Sequence, residues 1–203
     1  MPNHPPSLDR SNPFCAARLR PGTIDYVFER GKSLEQLVDA LEANAWRGQI
    51  IGSHGTGKST LLAALAPVME GRGRLVRSIT LVAGERHLPR EFLRSLRLSA
   101  GLGVAAVDGV EQLHAWNRLL LKQFCQTQDI GLVVTSHRSA DLPNLYETAL
   151  DEVRAWSVVQ RLQKGFPPRI QSCDLVQRLG QRQGNLREAL FDLYDLYEDR
   201  SRG

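Results

Sequence analysis

The run between positions 52 and 60 combines glycines with hydroxyl and basic side chains, a composition suited to binding phosphate. Its first eight residues, GSHGTGKS, match the pattern G-x-x-x-x-G-K-[ST] in full. Glycines let backbone N–H groups turn inward around an anion, and the start of a following helix adds partial positive charge. We expect Lys58 to reach the β- and γ-phosphates of a nucleotide and the Ser59 hydroxyl to ligate Mg²⁺. The residues predicted to contact ATP are Gly52, Ser53, His54, Gly55, Thr56, Gly57, Lys58, Ser59 and Thr60.

A carboxylate at the end of a later apolar run could complete the cation site. Residues 103–107 are small and apolar, and Asp108 follows them directly. At the end of a buried strand, a carboxylate can hold the water shell of Mg²⁺, which is the Walker B role. The alternative is an aspartate that caps the helix that follows. Ser59 and Asp108 are therefore the predicted metal ligands, and ATP and Mg²⁺ are the predicted cofactors.

The position after Asp108 bears on hydrolysis. Many P-loop ATPases place glutamate there to polarise the attacking water, but this chain has Gly109, and its nearest acid is Glu111. Two roles fit Glu111: a carboxylate directed at the γ-phosphate, or a favourable charge at the start of a helix predicted over 111–126. We therefore expect hydrolysis that is slow or that requires a partner.

Further polar residues follow other predicted elements. Thr135 ends a buried strand and is predicted to hold the lytic water or the γ-phosphate. For His137, two positions on, a loop position in solvent is the favoured interpretation. Arg187 lies in the first turn of the last predicted helix, where the helix dipole disfavours a cation. Two interpretations of Arg187 stay open: it binds a specific acidic group or phosphate, or it is an ordinary surface arginine.

Strands that alternate with helices must position these side chains. The predicted strands cover 49–51, 75–82, 103–107, 132–134 and 144–148. The predicted helices begin at Ser33, with Gln36 at the capping-box spacing, at Lys58, at Pro89 and at Glu111, and cover 150–162, 172–179 and 185–198. Such alternation indicates a parallel sheet covered on both sides. Ligands of these sheets bind beyond the carboxyl ends of the strands, where three of the five strands end in polar residues.

Composition limits the remaining possibilities. The chain has 203 residues, of which 42% are hydrophobic and 24% charged, which suits one α/β domain with a small appendage and excludes a collagen or a long coiled coil. We expect no transmembrane helix and no signal peptide, because no apolar run reaches the required length. Three widely spaced cysteines indicate neither a disulfide framework nor a zinc site, so a cytoplasmic location is expected.

The net charge is +4, and 22 of the 26 basic residues are arginine. Because arginine binds phosphate in a bidentate fork, DNA is a conceivable partner. GC-rich codon usage explains the same bias, and no basic run supports DNA binding, so the nucleotide is the main predicted partner.

These residues resemble the AAA-type, additional-strand branch of the P-loop ATPases over positions 12–199. The segment Asn12-Pro13-Phe14, followed by a helix and the loop, is similar to the start of ExeA-like secretion ATPases, and the loop also resembles that of small bacterial ATP-binding proteins with GxHGxGKST. Thr135 matches the sensor-one position, and Gly184-Asn185-Leu186-Arg187 is similar to the sensor-two motif, whose arginine contacts the γ-phosphate from a helical lid. The catalytic residues that the resemblance and the chemistry imply are Lys58, Glu111, Thr135 and Arg187.

The resemblance implies a three-layer α/β P-loop NTPase with a five-stranded, mainly parallel sheet of order 5-1-4-3-2 and a short C-terminal helical lid. We predict a disordered lead-in over 1–13, an NTPase core over 14–166 and the lid over 167–203. The predicted function is Mg-ATP hydrolysis coupled to a conformational change or to a protein partner, which could be a second copy. The alternatives are a non-hydrolysing ATP-binding switch and a small-molecule kinase. No arginine finger can be assigned, although Arg138 and Arg154 are candidates.

Overall fold

The computed structural model describes residues 12–29 and 31–202. The described residues form two compact groups. The sheet unit consists of 28–53 (without 30) and 57–149, and the helical unit consists of 12–27, 54–56 and 150–202. Most of the predicted lead-in, residues 1–11, lies outside the described residues.

Five strands form one sheet in the sheet unit. They are β1 (Arg47–Gly52), β2 (Leu75–Thr80), β3 (Gly103–Asp108), β4 (Gly131–Ser136) and β5 (Asn144–Thr148). The order is β2-β3-β4-β1-β5 and every pairing is parallel, which confirms the predicted order 5-1-4-3-2. Because the strands are parallel, the carboxyl ends of β1, β3 and β4 meet at one edge of the sheet. Gly52, Asp108 and Thr135 all belong to that edge.

Helices cover both faces of this sheet. They are α1 (Leu34–Ala43), α2 (Lys58–Gly71), α3 (Arg90–Arg97) and α4 (Ala115–Thr127). The central strands are buried on both faces, as the apolar runs of β3 and β4 require. Leu96 of α3 and Leu121 of α4 share a core with alternate residues of these strands, whereas α1 and α2 pack together and contact the sheet. The predicted capping box of Ser33 and Gln36 is present at the start of α1.

The helical unit contains three helices: α5 (Glu152–Gln163), α6 (Ser172–Gln181) and α7 (Leu186–Arg202). Their apolar faces share one core with Phe14. Asn12 is fully buried, and its Nδ2 donates to Tyr194 O at 3.1 Å and to Glu198 Oε1 at 2.7 Å. Because α5 packs into this core, the helical part of the chain starts before residue 167, where the sequence places the lid. No helix of the described residues combines the length and the apolar character needed to cross a membrane.

Gly131 tests how tightly the sheet is packed. A Cβ at this position would lie 2.5 Å from Trp46 Cβ and 2.8 Å from Trp46 O, and that carbonyl accepts a hydrogen bond from Leu132 N. We expect Gly131→Ala to lower the free energy of unfolding by about 1–3 kcal/mol, as overpacking does. Urea denaturation is the measurement. The matched control is Gly71→Ala, because a Cβ there meets no atom within 4 Å and should leave stability unchanged or raised. Equal effects of the two changes would contradict the packing described.

Candidate functional site

The phosphate-binding loop joins β1 to α2, as the sequence predicts. Gly55 and Gly57 have φ angles of 73° and 93°, which glycine adopts without strain, and they turn the chain between Gly52 and Lys58. Gly57 is the N-cap of α2, and no side chain caps this helix among the described residues. The first backbone N–H groups of α2, which include those of Ser59 and Thr60, therefore belong to a helix start suited to an anion.

Lys58 is the buried cation of this loop. Its side chain is 8% exposed, and Nζ donates to Gly52 O and to Ser53 O, both at 2.7 Å. A third contact, of 3.2 Å, joins Nζ to Nδ1 of His137. Burial lowers the pKa of Lys58, while the negative charges of Glu111 and Asp108 oppose that shift. The ammonium thus has three partners and lies within electrostatic reach of both carboxylates.

Asp108 ends β3 and is held by β4. The Thr135 hydroxyl, which is buried, donates to Asp108 Oδ1 at 2.5 Å and accepts from Gly109 N at 2.8 Å. Parallel pairing of β3 with β4 and of β4 with β1 brings these side chains to the edge that carries the loop. The geometry gives Thr135 a direct part in orienting the carboxylate. Because its one hydrogen is donated to Asp108, the predicted γ-phosphate contact would require the hydroxyl to give up this bond.

The chain after Asp108 differs from the predicted helix over 111–126. Gly109 has a φ of 78°, and a short 3₁₀ turn over Val110–Gln112 follows, so that α4 begins only at Ala115. Leu113 is extended and separates the turn from the helix. Glu111 is therefore not in the first turn of α4, and the interpretation as a charge at the start of that helix is wrong.

Glu111 instead meets His137. Its Oε1 lies 3.1 Å from His137 Nε2, whereas its Oε2 is buried with no hydrogen-bond partner among the described residues. The side chains of Glu111 and His137 are 22% and 26% exposed. His137 lies in the bend after β4, as the loop interpretation predicts, but its ring is not free in solvent because it contacts Lys58 and Glu111. Sequence reasoning had one usable signal: His137 directly follows the strand that lies beside β1.

The tip of the loop, residues 54–56, belongs to the helical unit, where Gly55 lies against the start of α7. A Cβ on Gly55 would come within 2.2 Å of Asn185 Oδ1, so only glycine fits. Asn185 Oδ1 also accepts from Glu188 N at 3.3 Å, as an N-cap does. Arg187 follows in the first turn of α7 with an exposed side chain, for which the described residues provide neither a hydrogen bond nor an ion pair.

Contacts in the sheet unit join four of the predicted residues in two groups. Lys58 and Glu111 contact the same ring of His137, and Thr135 donates to Asp108. Arg187 is not among them, since it lies in the helical unit. The described residues contain no cluster of three or more His, Cys, Asp or Glu side chains that could hold a metal ion. A hydroxyl at Ser59 and a carboxylate at Asp108 are hard oxygen donors of the kind that bind Mg²⁺ together with phosphate oxygens.

The strand order and the loop define the class of the fold, which is the α/β fold of the P-loop NTPases. No family model matches the chain, and no curated protein matches it either. Solved structures do match. They include a DNA replication initiation factor (16% identity, TM-score 0.55), AMPPCP-bound DnaA from Aquifex aeolicus (18%, 0.55) and the S. cerevisiae Hsp104-ADP complex (14%, 0.57). At these identities the likeness establishes the fold alone.

The matches cover 87%, 91% and 94% of this chain, respectively. They cover less of the other proteins: 66% of the initiation factor, 65% of DnaA and 33% of Hsp104. The chain therefore spans just under two thirds of the first two proteins and one third of the third. What those proteins do as wholes does not transfer to this chain by likeness.

Gly109 provides a test of the turn that delivers Glu111. With a φ of 78°, and with Leu81 O 3.1 Å from a built Cβ, this position strains any L-residue with a side chain. We expect Gly109→Glu to lower the free energy of unfolding by about 1–2 kcal/mol, the cost of the left-handed conformation. Gly109→Asn is the control, because asparagine tolerates positive φ better, and it should cost less. Chemical denaturation of both variants decides; a glutamate variant as stable as wild type would show that the turn is not strained.

Proposed function

We propose that the protein binds Mg-ATP and hydrolyses it, with the phosphate-binding loop as the site of the triphosphate. The observation that carries the proposal is the buried ammonium of Lys58, held by Gly52 O and Ser53 O at the start of α2. A buried cation is costly unless it has a charged or strongly polar partner. Its position beside a helix start and two carboxylates suits a ligand that carries both phosphate charge and a divalent cation.

Each polar residue of the sheet unit has a role in this proposal. Lys58 neutralises charge on the β- and γ-phosphates, while Ser59 and Asp108 hold Mg²⁺. Thr135 keeps Asp108 Oδ1 in place through its 2.5 Å hydrogen bond. When bound, Mg-ATP supplies a phosphoryl group that is activated by the cation. The protein supplies orientation and charge, which are the main contributions to catalysis of phosphoryl transfer.

We assign to Glu111 the activation of the attacking water. Its Oε2 is buried and has no hydrogen-bond partner among the described residues, so the atom suits a ligand or a water molecule. A carboxylate so placed can accept a proton from an attacking water. Glu111 would thus take the role that many P-loop ATPases give to the residue after Asp108, where Gly109 and its positive φ leave no place for an acid.

The helical unit would serve as the lid. Gly55 of the loop lies against Asn185, and Arg187 is two residues further along the chain. We assign to Arg187 the contact with the terminal phosphate that the sensor-two resemblance implies. Asn12 and Phe14, in the segment that resembles ExeA-like ATPases, are buried against α7 and so tie the start of the described chain to the proposed lid.

One observation favours a second candidate, an ATP-binding switch without turnover. Position 109 carries no carboxylate, and Glu111 Oε1 is already engaged by His137. A partner, whether another protein or a second copy of the chain, would then bind differently to the ATP-bound form.

All three cysteines are free thiols, which supports a reducing, cytoplasmic location. The arginine-rich composition is the one observation that supports DNA as a partner.

Lys58→Ala tests nucleotide binding. Calorimetric titration with Mg-ATP should show binding to the wild type and a loss of affinity of at least about tenfold in the variant, since charge-assisted hydrogen bonds are each worth about 1.5–3 kcal/mol. The control is Lys164→Ala, which removes an exposed lysine at the end of α5. Thermal unfolding of the variant checks its fold. Equal ATP affinity of wild type and Lys58→Ala would overturn the assignment.

Arg187→Gln tests the lid. We expect the variant to keep its stability, because the arginine is exposed and makes no hydrogen bond or ion pair within the described residues. Release of inorganic phosphate should fall by at least about tenfold, since an arginine that stabilises transferred phosphoryl charge is worth about 10³–10⁵ in kcat. Arg20→Gln, a change at another exposed arginine of the helical unit, serves as the control. Unchanged phosphate release in Arg187→Gln would remove this residue from the site.

A further inference from the structure

His137 bridges the cation of the loop and the acid that we assign to water. Its Nδ1 lies 3.2 Å from Lys58 Nζ and 3.0 Å from Gly52 O, and its Nε2 lies 3.1 Å from Glu111 Oε1. The four residues come from β1, α2, the 3₁₀ turn and the end of β4. One ring thus connects three elements that meet at the carboxyl edge of the sheet.

Nδ1 faces both an acceptor, Gly52 O, and a donor, Lys58 Nζ, and the position of the ring hydrogen decides which of them it serves. A carbonyl only accepts, so hydrogen on Nδ1 would serve Gly52 O. An ammonium only donates, so in the form that serves Lys58 the lone pair is on Nδ1 and the single hydrogen of the neutral ring is on Nε2. Nε2–H then donates to Glu111 Oε1. In the doubly protonated ring, Nδ1–H would turn to Gly52 O and bring a second cation to within 3.2 Å of the Lys58 ammonium. The neutral Nε2–H form therefore fits the contacts of Lys58.

We propose that His137 is a positioning residue that couples the partner of Lys58 to the orientation of Glu111. The inference rests on the proposed function, since it concerns how the same site activates water. His137 fixes Oε1 of Glu111, and the buried Oε2 is left as the atom that accepts a proton. In the step itself, water transfers one proton to Oε2 as its oxygen bonds to the terminal phosphorus, and the bond to the bridging oxygen of ADP breaks.

Phosphate engagement changes the ring. The three N–H groups of Lys58 are matched by Gly52 O, Ser53 O and His137 Nδ1, so a phosphate oxygen must replace one of these acceptors. The contact with His137 is the longest of the three and is the one that we expect Lys58 to give up. Nδ1 then loses the hydrogen bond from Lys58, while Nε2 keeps its contact with Glu111. The ring thus links phosphate binding in the loop to the orientation of Glu111.

Two substitutions separate the two nitrogens. The amide nitrogen of glutamine reaches about as far as Nε2, so His137→Gln keeps a donor for Glu111 Oε1. Asparagine reaches only about as far as Nδ1, so His137→Asn keeps a partner for Lys58 and loses the contact with Glu111. Neither side chain titrates. His114→Gln, at an exposed histidine before α4, controls for the loss of a histidine as such.

The experiment measures ATP affinity by calorimetry and turnover by phosphate release in all four proteins. We expect His137→Asn to lower kcat by about tenfold or more, as loss of an aligned general base does, with an unchanged dissociation constant for ATP. His137→Gln should retain most of the turnover. In parallel, nitrogen NMR of the imidazole should show hydrogen on Nε2 in the nucleotide-free wild type, and a shift of Nδ1 when Mg-AMPPCP is added.

The outcomes are distinguishable. ATP binding with equal kcat in wild type, His137→Asn and His137→Gln would overturn the role of His137 and leave the proposed function intact. ATP binding by the wild type without turnover would overturn the inference and favour the switch. Hydrogen on Nδ1 in the nucleotide-free protein would contradict the coupling. Absence of ATP binding in the wild type would overturn the proposed function and, with it, the inference.

Discussion

The buried ammonium of Lys58 is the constraint on which the rest of the site depends. A cation that is 8% exposed requires acceptors on every N–H, and the chain provides two carbonyls of the loop and one imidazole. Two of these acceptors exist only because Gly52 and Ser53 end β1 where the chain turns. The third requires His137 to follow the neighbouring strand. The loop and the residue after β4 thus together provide the acceptors for one buried charge.

Parallel pairing is what collects the other polar groups. β3 and β4 have apolar interiors and polar residues at their carboxyl ends, and β1 leads directly into the glycine-rich loop, so parallel pairing of the three strands brings these ends to one edge. Thr135 then fastens Asp108 across the strand boundary, and the glycine turn at 109 directs Glu111 back toward the same edge. The site is therefore assembled by the packing of the core and not by the loop alone.

The sequence predicted most of this framework. All five strands and the helix that starts at Lys58 follow from apolar runs, glycines and caps, which are local signals, whereas the strand order came from the resemblance to the additional-strand ATPases. The start of α4 was missed because the positive φ of Gly109 leads into a 3₁₀ turn that no periodicity reveals. His137 was missed because its partners are distant, with Lys58 79 positions away along the chain. The functional roles assigned to Lys58, Ser59, Asp108, Glu111, Thr135 and Arg187 all stay predictions.

The hydroxyl of Thr135 has a single hydrogen, and that hydrogen points at Asp108, while a lone pair faces the amide of Gly109. The lone pairs of this hydroxyl would thus repel an anion, whereas the neighbouring carboxylate of Asp108 attracts a cation. At Lys58 the preference is reversed. The carboxyl edge of the sheet consequently has one position that favours a cation, at Asp108, and one that favours an anion, at Lys58. An anionic ligand with a bound metal ion can interact favourably with both.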